Sequence, residues 1–293
     1  MKEIVILSGK GGVGKSSITA SLGYLLSKKY KVVMADTDVD APNLDIVLGA
    51  RLREYNDIKA SGKAIIDYEK CTGCMRCVDA CRFSSIIEAE KPIVISFSCE
   101  GCGACSIVCP EQAIEIKEIT NGRINIFDVE NMLIVSGELI IGESSSGHLV
   151  DVVKKTAKDK TEASNADLIL VDGPPGIGCP VISSIKGCDY VIAVTEPTPS
   201  ALSDMKRLIE VINYFKTSTG IVINKSDIHP ESAQKIKDFA SEKGFKILAE
   251  IPYDLSIPNA ITQAVPVVKA YPESQSSTVI KCLSDKLIDL IQQ

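Results

Sequence analysis

The sequence predicts an α/β protein with a mostly parallel sheet, interrupted by a small α+β unit rich in cysteine. Short apolar runs alternate with stretches of helical periodicity, which is the pattern of a parallel sheet with helical crossovers. A glycine-rich loop follows the first apolar run, and eight of the 11 cysteines stand in two regular runs that break the alternation. We expect 1–56 and 124–293 to form one domain and 57–123 to form an insert within it.

The composition is that of a globular protein. The chain has 293 residues, 45% of them hydrophobic, enough for one large core and one small core. Its net charge of −6 argues against broad binding to nucleic acid, which depends on Lys and Arg neutralising phosphates. Because the sequence has no secretory signal and no apolar run of about 18 residues, we expect a soluble cytoplasmic protein without a nucleic-acid partner or stable membrane association.

The apolar runs and the helical periodicity predict the main elements in order. A helix should begin near Lys15, and the last helix should contain Val279 to Ile291. A membrane-surface helix is the alternative for the last one, but its charges cancel, so we favour packing against the core. The expected strands are 3–7, 31–35, 139–141, 167–171, 190–194, 220–224 and 246–250, and the other expected helices are 148–158, 200–214 and 230–243.

The loop after the first strand has the spacing G-x-x-x-x-G-K-[ST] of a phosphate-binding loop. Its backbone N–H groups would surround phosphate oxygens, Lys15 would reach the terminal phosphates, and Ser16 would bind Mg²⁺. An idle glycine turn is the alternative. The expected nucleotide-binding residues of the loop are Gly9, Lys10, Gly11, Gly12, Val13, Gly14, Lys15, Ser16 and Ser17.

Carboxylates follow two of the predicted strands. Asp36, Asp38 and Asp40 follow the second strand, and Asp172 ends a later apolar strand, directly before Gly-Pro-Pro-Gly. Ligands of parallel sheets lie at the carboxyl ends of the strands, so these side chains should meet the phosphate loop. Asp172 is predicted to hold Mg²⁺ through water. A helix cap or a solvated loop charge is the alternative for Asp40.

The two cysteine runs have the spacing C-x2-C-x2-C-x3-C and repeat at an offset of 28 residues. This is the ligand pattern for two 4Fe-4S clusters; zinc or inert cysteines are the alternatives. One departure is that Cys109 precedes a proline, as expected, whereas Cys81 precedes Arg82. By the crossover known for two-cluster ferredoxins, the expected ligand sets are Cys71, Cys74, Cys77 and Cys109 for one cluster, and Cys99, Cys102, Cys105 and Cys81 for the other.

The second lysine of the phosphate loop, Lys10, together with the run Asp-Gly-Pro-Pro-Gly-Ile-Gly-Cys-Pro-Val, resembles the deviant Walker A ATPases of the MinD and ParA type. With the cysteine insert, the chain resembles the members that contain a ferredoxin domain, which are related to the nitrogenase iron protein class. The resemblance implies a three-layer P-loop NTPase fold, ATP with Mg²⁺, and a dimer in which Lys10 reaches the partner's nucleotide.

The resemblance also implies roles for single residues. The catalytic residues would be Lys10, Lys15 and Asp38, where Asp38 positions the attacking water and binds Mg²⁺ directly or through water, with Asp40 as the alternative carboxylate. Asn224 to Asp227 has the N-K-x-D pattern that reads guanine in many GTPases. In the resembled ATPases, however, this Asn contacts adenine. We therefore expect ATP, with the base bound by Asn224, Lys225, Pro252, Tyr253 and Asp254.

Cys179 lies seven residues after Asp172, the offset of an interface cluster ligand in the nitrogenase iron protein; a small buried side chain is the alternative. We predict an ATPase whose nucleotide state controls electron transfer through two 4Fe-4S clusters, or their use in metallocentre assembly. An iron-sulfur cluster carrier is the alternative, and a positioning ATPase acting on DNA or membranes is disfavoured by the charge. Expected partners are a second copy or a paralogue, and a redox partner or client metalloprotein.

Overall fold

The computed structural model describes residues 1–59, 61–143 and 146–292. The chain divides into two compact units. The phosphate-loop unit comprises Met1–Tyr55, Ile124–Glu138 and the chain from Ser146 onward. The cysteine unit comprises Asn56–Arg123 and the described residues from Leu139 to Glu143.

A nine-stranded sheet contains β1 (Lys2–Ser8), β2 (Val32–Asp36), β3 (Arg51–Ile58), β8 (Gly122–Val129), β9 (Met132–Leu139), β10 (Leu168–Pro175), β11 (Tyr190–Thr195), β12 (Ser218–Asn224) and β13 (Lys246–Ile251). The strand order is β13-β12-β11-β1-β10-β2-β9-β8-β3. The pairs from β13 to β9 are parallel, and β10 pairs with β2 so that Asp172 stands opposite Asp36.

Helices surround this sheet because its central strands are apolar on both faces, the pattern of a parallel sheet covered on both sides. Val5 and Val171, for example, are fully buried. The helices are α1 (Lys15–Leu26), α2 (Leu44–Leu48), α5 (Ser146–Ser164), α6 (Cys179–Ile185), α7 (Pro199–Tyr214), α8 (Pro230–Lys243), α9 (Ser256–Thr262), α10 (Val267–Ala270) and α11 (Gln275–Gln292). In α11, Ile280, Leu283 and Leu287 are fully buried, which agrees with a helix that packs on the core.

The predicted fold class is confirmed, but one predicted strand is wrong. The run at 139–141 is not a strand: β9 covers Met132–Leu139, and Ile141 is fully exposed beyond its end. Strands β3 and β8 were not expected. All but the last residue of β3 are exposed, so it has no apolar alternation to reveal it. No helix in the described ranges combines the length and the apolar character needed to cross a membrane.

The cysteine unit is built from two similar halves. In it, β4 (Ser61–Ile66) pairs antiparallel with β7 (Ile114–Ile119), and β5 (Ile86–Ile87) pairs antiparallel with β6 (Ile93–Val94). The offset of 28 residues relates these pairs, because Ile66 stands opposite Ile114 and Val94 stands opposite Ile86. The short helices α3 (Arg76–Ala80) and α4 (Ala104–Val108) obey the same offset.

Candidate functional site

The phosphate loop connects β1 to α1. Two of its glycines are required because neighbouring atoms lie where a side chain would be. A Cβ at Gly9 would lie 2.4 Å from the backbone of Asp204 in α7. Gly14 has a φ of +91°, and a Cβ there would lie 2.3 Å from Nδ2 of Asn224. Because no side chain fits at either position, the loop stays open for a ligand to reach its N–H groups.

Lys15 and Asp172 form a buried ion pair at the start of α1. Lys15 Nζ lies 3.2 Å from Oδ1 of Asp172, and the hydroxyl of Thr19 donates to the same oxygen at 2.8 Å. The other oxygen of Asp172, Oδ2, is buried and has no hydrogen-bond partner among the described residues. A buried carboxylate oxygen without a partner is costly, so this atom is suited to a cation or its bound water.

Asp36 organises the loop that follows β2. Its Oδ1 accepts the N–H of Asp38 at 3.1 Å, and its Oδ2 accepts the N–H groups of Asn43 and Leu44, each at 3.0 Å. Burial, and then the negative charge of Asp172, raises the pKa of Asp36 above its usual range. Asp36 is therefore a support for the loop, and its backbone partners fix where Asp38 stands.

Asp38 and Asp40 differ in position. Asp38 borders an open cavity of about 810 Å³ next to the phosphate loop, together with Gly11, Gly12, Gly14, Lys15, Ser16 and Ser17. Asp40 is exposed and is not among the residues that line this cavity. Burial raises the pKa of Asp38 to about 6, so its carboxylate can take a proton near neutral pH.

Lys10 and Lys225 share the carboxylate of Glu196. Glu196 Oε1 lies 3.6 Å from Lys10 Nζ, and its Oε2 lies 2.8 Å from Lys225 Nζ. Lys10 also donates to Ser200 Oγ at 3.4 Å, and Lys225 donates to the carbonyl of Gly12 at 3.3 Å. Lys10 is thus held within its own chain, by long contacts and with a side chain that is 42% exposed.

None of the five residues predicted to bind the base lines the cavity beside the phosphate loop. Asn224 donates from Nδ2 to the carbonyl of Val13 at 2.8 Å, so it braces the phosphate loop. Asp254 accepts the N–H and the hydroxyl of Ser276 at 3.0 and 2.8 Å. Burial opposes its ionisation, but these hydrogen bonds lower its pKa below the usual range. Asn224 and Asp254 do not line the cavity beside the phosphate loop, and the same holds for Lys225, Pro252 and Tyr253.

The eight cysteines of the two runs border two cavities of the cysteine unit. The first cavity, of about 320 Å³, is bordered by Cys71, Cys74, Cys77 and Cys109. The second cavity, of about 310 Å³, is bordered by Cys81, Cys99, Cys102 and Cys105. Each cavity therefore receives three thiols from one run and the fourth from the other run.

Several of these sulfurs accept backbone hydrogen bonds. Ser85 donates to Cys81 Sγ and Ala113 donates to Cys109 Sγ, both at 3.3 Å and related by the 28-residue offset. Burial raises the pKa values of the Cys77 and Cys105 thiols. Metal ligation requires thiolates, so a bound group would have to displace these protons. Across residues 1–59, 61–143 and 146–292, no group of three or more His, Cys, Asp or Glu side chains that could hold a metal ion occurs.

The other cysteines stand apart from these cavities. Cys179 is exposed at the first position of α6, so the alternative of a small buried side chain is wrong. Cys282 is also exposed, and Cys188 is half-buried.

Comparison with known proteins decides the family. Residues 4–267 match the CbiA family, the CobQ/CobB/MinD/ParA nucleotide binding domain. The chain belongs to this family. An uncharacterized protein of Methanocaldococcus jannaschii is 37% identical to this CbiA-family chain over 290 residues, which are 99% of the chain and 97% of that protein. An iron-sulfur cluster carrier protein of Pyrococcus horikoshii is 26% identical over 305 residues, with 99% of the chain and 87% of that protein covered.

A solved structure supports the same fold. The septum site-determining protein MinD of Pyrococcus horikoshii, complexed with Mg-ADP, matches with a TM-score of 0.60 and 24% identity, over 99% of this chain and 96% of that chain. The predicted P-loop NTPase fold and the MinD/ParA relationship are confirmed. The ferredoxin-like nature of the insert and the roles of single residues remain predictions.

Two residues at the phosphate loop belong to no sequence motif. Thr19 lies one helical turn after Lys15 and therefore faces the same side of α1. Glu196 directly follows the buried strand β11, at the edge of the sheet where the other functional carboxylates stand. The signal for Glu196 was its position after an apolar run, which is the same signal that predicted Asp172.

Proposed function

We propose that the protein binds and hydrolyses ATP with Mg²⁺ and couples the nucleotide state of a dimer to electron transfer through two 4Fe-4S clusters. One observation carries the proposal: a single chain combines a phosphate loop, with its buried Lys15–Asp172 pair, and two cavities each bordered by four cysteines. Membership of a nucleotide-binding family independently supports the first half. When bound, the clusters would supply one-electron transfer.

The phosphate-loop unit supplies the groups for hydrolysis. Lys15 would exchange Asp172 for the terminal phosphates, and Ser16, Asp38 and Asp172 would hold Mg²⁺ directly or through water. The unpartnered Oδ2 of Asp172 supports a cation there. Asp38 would orient the attacking water, a role that its place at the cavity favours over Asp40.

The hydrogen bonds made by the N-K-x-D run, Asn224 to Asp227, favour ATP over GTP. Asp227 is the carboxylate that would read guanine in this pattern, but its Oδ1 accepts the N–H of Tyr253 at 2.7 Å. Asn224, the other reader, donates to Val13 of the phosphate loop. Both residues are therefore engaged in holding loops, as expected when the base is not guanine. Asn224, Lys225 and residues 252–254 would lie on the side of the base.

The dimer is supported by the position of Lys10. Its Nζ is 3.6 Å from Glu196, a contact that is weak in water because the side chain is substantially exposed. Lys10 can leave this contact and reach a nucleotide held by a second copy or by a paralogue. Cross-chain insertion would make hydrolysis depend on dimer formation, as a cation supplied in trans does in other phosphoryl transfers.

The side chains that border the cysteine cavities support two clusters. Each cavity is bordered by four cysteines, three from one run and the fourth from the other. Four cysteines are the usual donor set of a 4Fe-4S cluster, and hydrogen bonds to the sulfurs are among the features that set its potential. Cys71, Cys74, Cys77 and Cys109 would hold one cluster, and Cys81, Cys99, Cys102 and Cys105 the other.

The test is an iron and sulfide count on protein purified without oxygen. We expect roughly eight irons and eight sulfides per chain. Cys109→Ser should lose about half of both, because it removes one ligand of the first cavity only, and Cys188→Ser is the matched control that should lose none. Zinc at these sites, or a protein without sulfide, would overturn the cluster half of the proposal.

A carrier function is the second candidate, because a relative that matches 99% of the chain bears that name. A carrier would pass its cluster to an acceptor, whereas a redox ATPase would keep it. Incubating the loaded protein with an apo-ferredoxin separates the two. Retained iron together with rapid reduction by dithionite supports electron transfer, and iron that moves to the acceptor within minutes supports the carrier.

A further inference from the structure

The two halves of the cysteine unit differ at one place where the repeat predicts that they should be alike. The backbone N–H of Ala64 donates to Cys99 Sγ at 3.5 Å. At the offset of 28 residues, the equivalent donor to Cys71 would be residue 92, which is a proline and has no N–H. Pro92 borders the first cavity. Among the described residues, the second cavity therefore has a hydrogen bond to sulfur at a position where the first cavity cannot have one.

A lysine pair shows the same asymmetry. Lys63 and Lys91 are equivalent by the offset, but Lys63 is only 5% exposed, and its Nζ donates to the carbonyl of Cys99 at 3.0 Å. Lys91 instead donates to the carbonyl of Tyr68 at 2.6 Å, on the surface. A buried ammonium group thus stands against a ligand of the second cavity only.

From this asymmetry we propose that the cluster held by Cys81, Cys99, Cys102 and Cys105 has the higher reduction potential of the two, and that Lys63 and the Ala64 N–H raise it. The proposal rests on the proposed function. Reduction adds negative charge to a cluster, and both a hydrogen bond to sulfur and a nearby cation stabilise that charge. A single electron that enters the protein would therefore reside mainly on the cluster of the second cavity.

Two features of the second cavity act in the opposite direction, and the lysine contact outweighs them. Cys99 is more buried than Cys71, which disfavours added charge. Glu143 Oε2 also lies 3.0 Å from Lys63 Nζ and offsets part of its charge. The ammonium group nevertheless donates to the backbone carbonyl of Cys99, next to the ligand sulfur, and electrostatic effects in a buried site are weakly screened.

A mediated redox titration followed by EPR, with dithionite as the reductant, tests the proposal. We expect two midpoint potentials, one for each cluster. The equilibrium constants for reducing the two clusters should differ by at least about tenfold, which is about 59 mV for a one-electron couple. Lys63→Met should lower the higher midpoint and leave the other, and Glu143→Gln should raise it. Lys91→Met is the matched control and should move neither midpoint.

Pro92→Ala tests the same idea without touching the buried ion pair. This variant supplies the missing N–H to Cys71, so it should raise the lower midpoint potential. The expected change is about threefold or more in the equilibrium constant for reduction, on the scale of one hydrogen bond. The difference between the two midpoint potentials should decrease accordingly. Equal midpoints in the wild type, or a Lys63→Met change that moves both midpoints equally, would overturn the proposal. A protein that holds no clusters would instead refute the proposed function, and an iron count distinguishes the two failures.

Discussion

The phosphate-loop unit and the cysteine unit prepare their sites in different ways. In the phosphate-loop unit, the functional charges already have partners within the chain: Lys15 pairs with Asp172, and Glu196 pairs with both Lys10 and Lys225. In the cysteine unit, eight thiols border two cavities, and the backbone N–H groups of Ala64, Ser85 and Ala113 donate to three of their sulfurs.

This difference indicates that the nucleotide exchanges during each cycle whereas the clusters stay bound. A site whose charges can pair among themselves survives without its ligand, so a nucleotide can enter and leave in each cycle. Four thiols around one cavity, most of them at least partly buried, gain most when a group occupies the cavity, because metal binding contributes folding free energy. The comparison therefore supports a transient nucleotide and resident clusters, and each prediction below perturbs one side of it.

The largest effect should come from Lys10→Ala. A cation supplied across a dimer stabilises the charge of phosphoryl transfer, and its loss should lower ATP turnover by at least about 100-fold. Iron content should not change, because Lys10 lies in the other unit. The measurement is phosphate release together with an iron count. Turnover within twofold of the wild type would remove the trans-acting role.

The next effect separates the two loop carboxylates. Asp38→Asn should lower turnover by about 100-fold while ATP still binds, since general base catalysis typically contributes this much. Asp40→Asn is the matched control and should stay within about threefold, because Asp40 is exposed and away from the cavity. Nucleotide binding and phosphate release, measured on both variants, check this. The reverse order of effects would assign the role to Asp40.

The pH dependence of turnover sharpens the same assignment. Burial raises the pKa of Asp38 to about 6, so the carboxylate is present above that pH and is lost as the pH falls below it. The value of kcat/KM should therefore decrease toward tenfold per pH unit below pH 6 and be flat above it. A profile that stays flat down to pH 4.5 would contradict a proton-accepting Asp38.

The smallest effect should come from Glu196→Gln. The long, partly exposed Lys10–Glu196 contact is worth on the order of 0.5 kcal/mol, so its loss should favour ATP-dependent dimer formation by about twofold to threefold. Glu210→Gln, an exposed charge-removing change on α7, is the control. Sedimentation at several protein concentrations with ATP measures it. Weaker dimer formation in Glu196→Gln would mean that Glu196 organises the loop instead of restraining Lys10.

The elements predicted from the sequence are those whose signal is local. The buried strands β1 and β10 follow from apolar runs, and α8 has the predicted bounds because a proline begins it and Gly244 ends it. Strand β3 could not be predicted, since it is an exposed edge strand whose one neighbour in the sheet, β8, lies more than 60 residues further along the chain. The strand expected at 139–141 failed because exposed Ile140 and Ile141 extend an apolar run beyond its last paired residue.

The sites show the same limit. The phosphate loop and the cysteine runs have fixed spacings, so their residues could be named in advance. Lys63 and Lys91, by contrast, occupy equivalent places in the repeat and yet one is buried and the other is not. That difference depends on what packs over each lysine, which spacing does not reveal. Glu196 was missed although it directly follows an apolar run, because its two lysine partners come from separate loops and no sequence spacing links the three residues.

The most direct test of the account is a redox titration of the anaerobically loaded protein with Mg-ATP and with Mg-ADP. If the two units are coupled, the midpoint potential of at least one cluster should differ between Mg-ATP and Mg-ADP. The expected difference is about threefold or more in the equilibrium constant for reduction, and it should disappear in Lys10→Ala. Identical midpoints with both nucleotides, in a protein that holds about eight irons and hydrolyses ATP, would contradict the coupling of the two units.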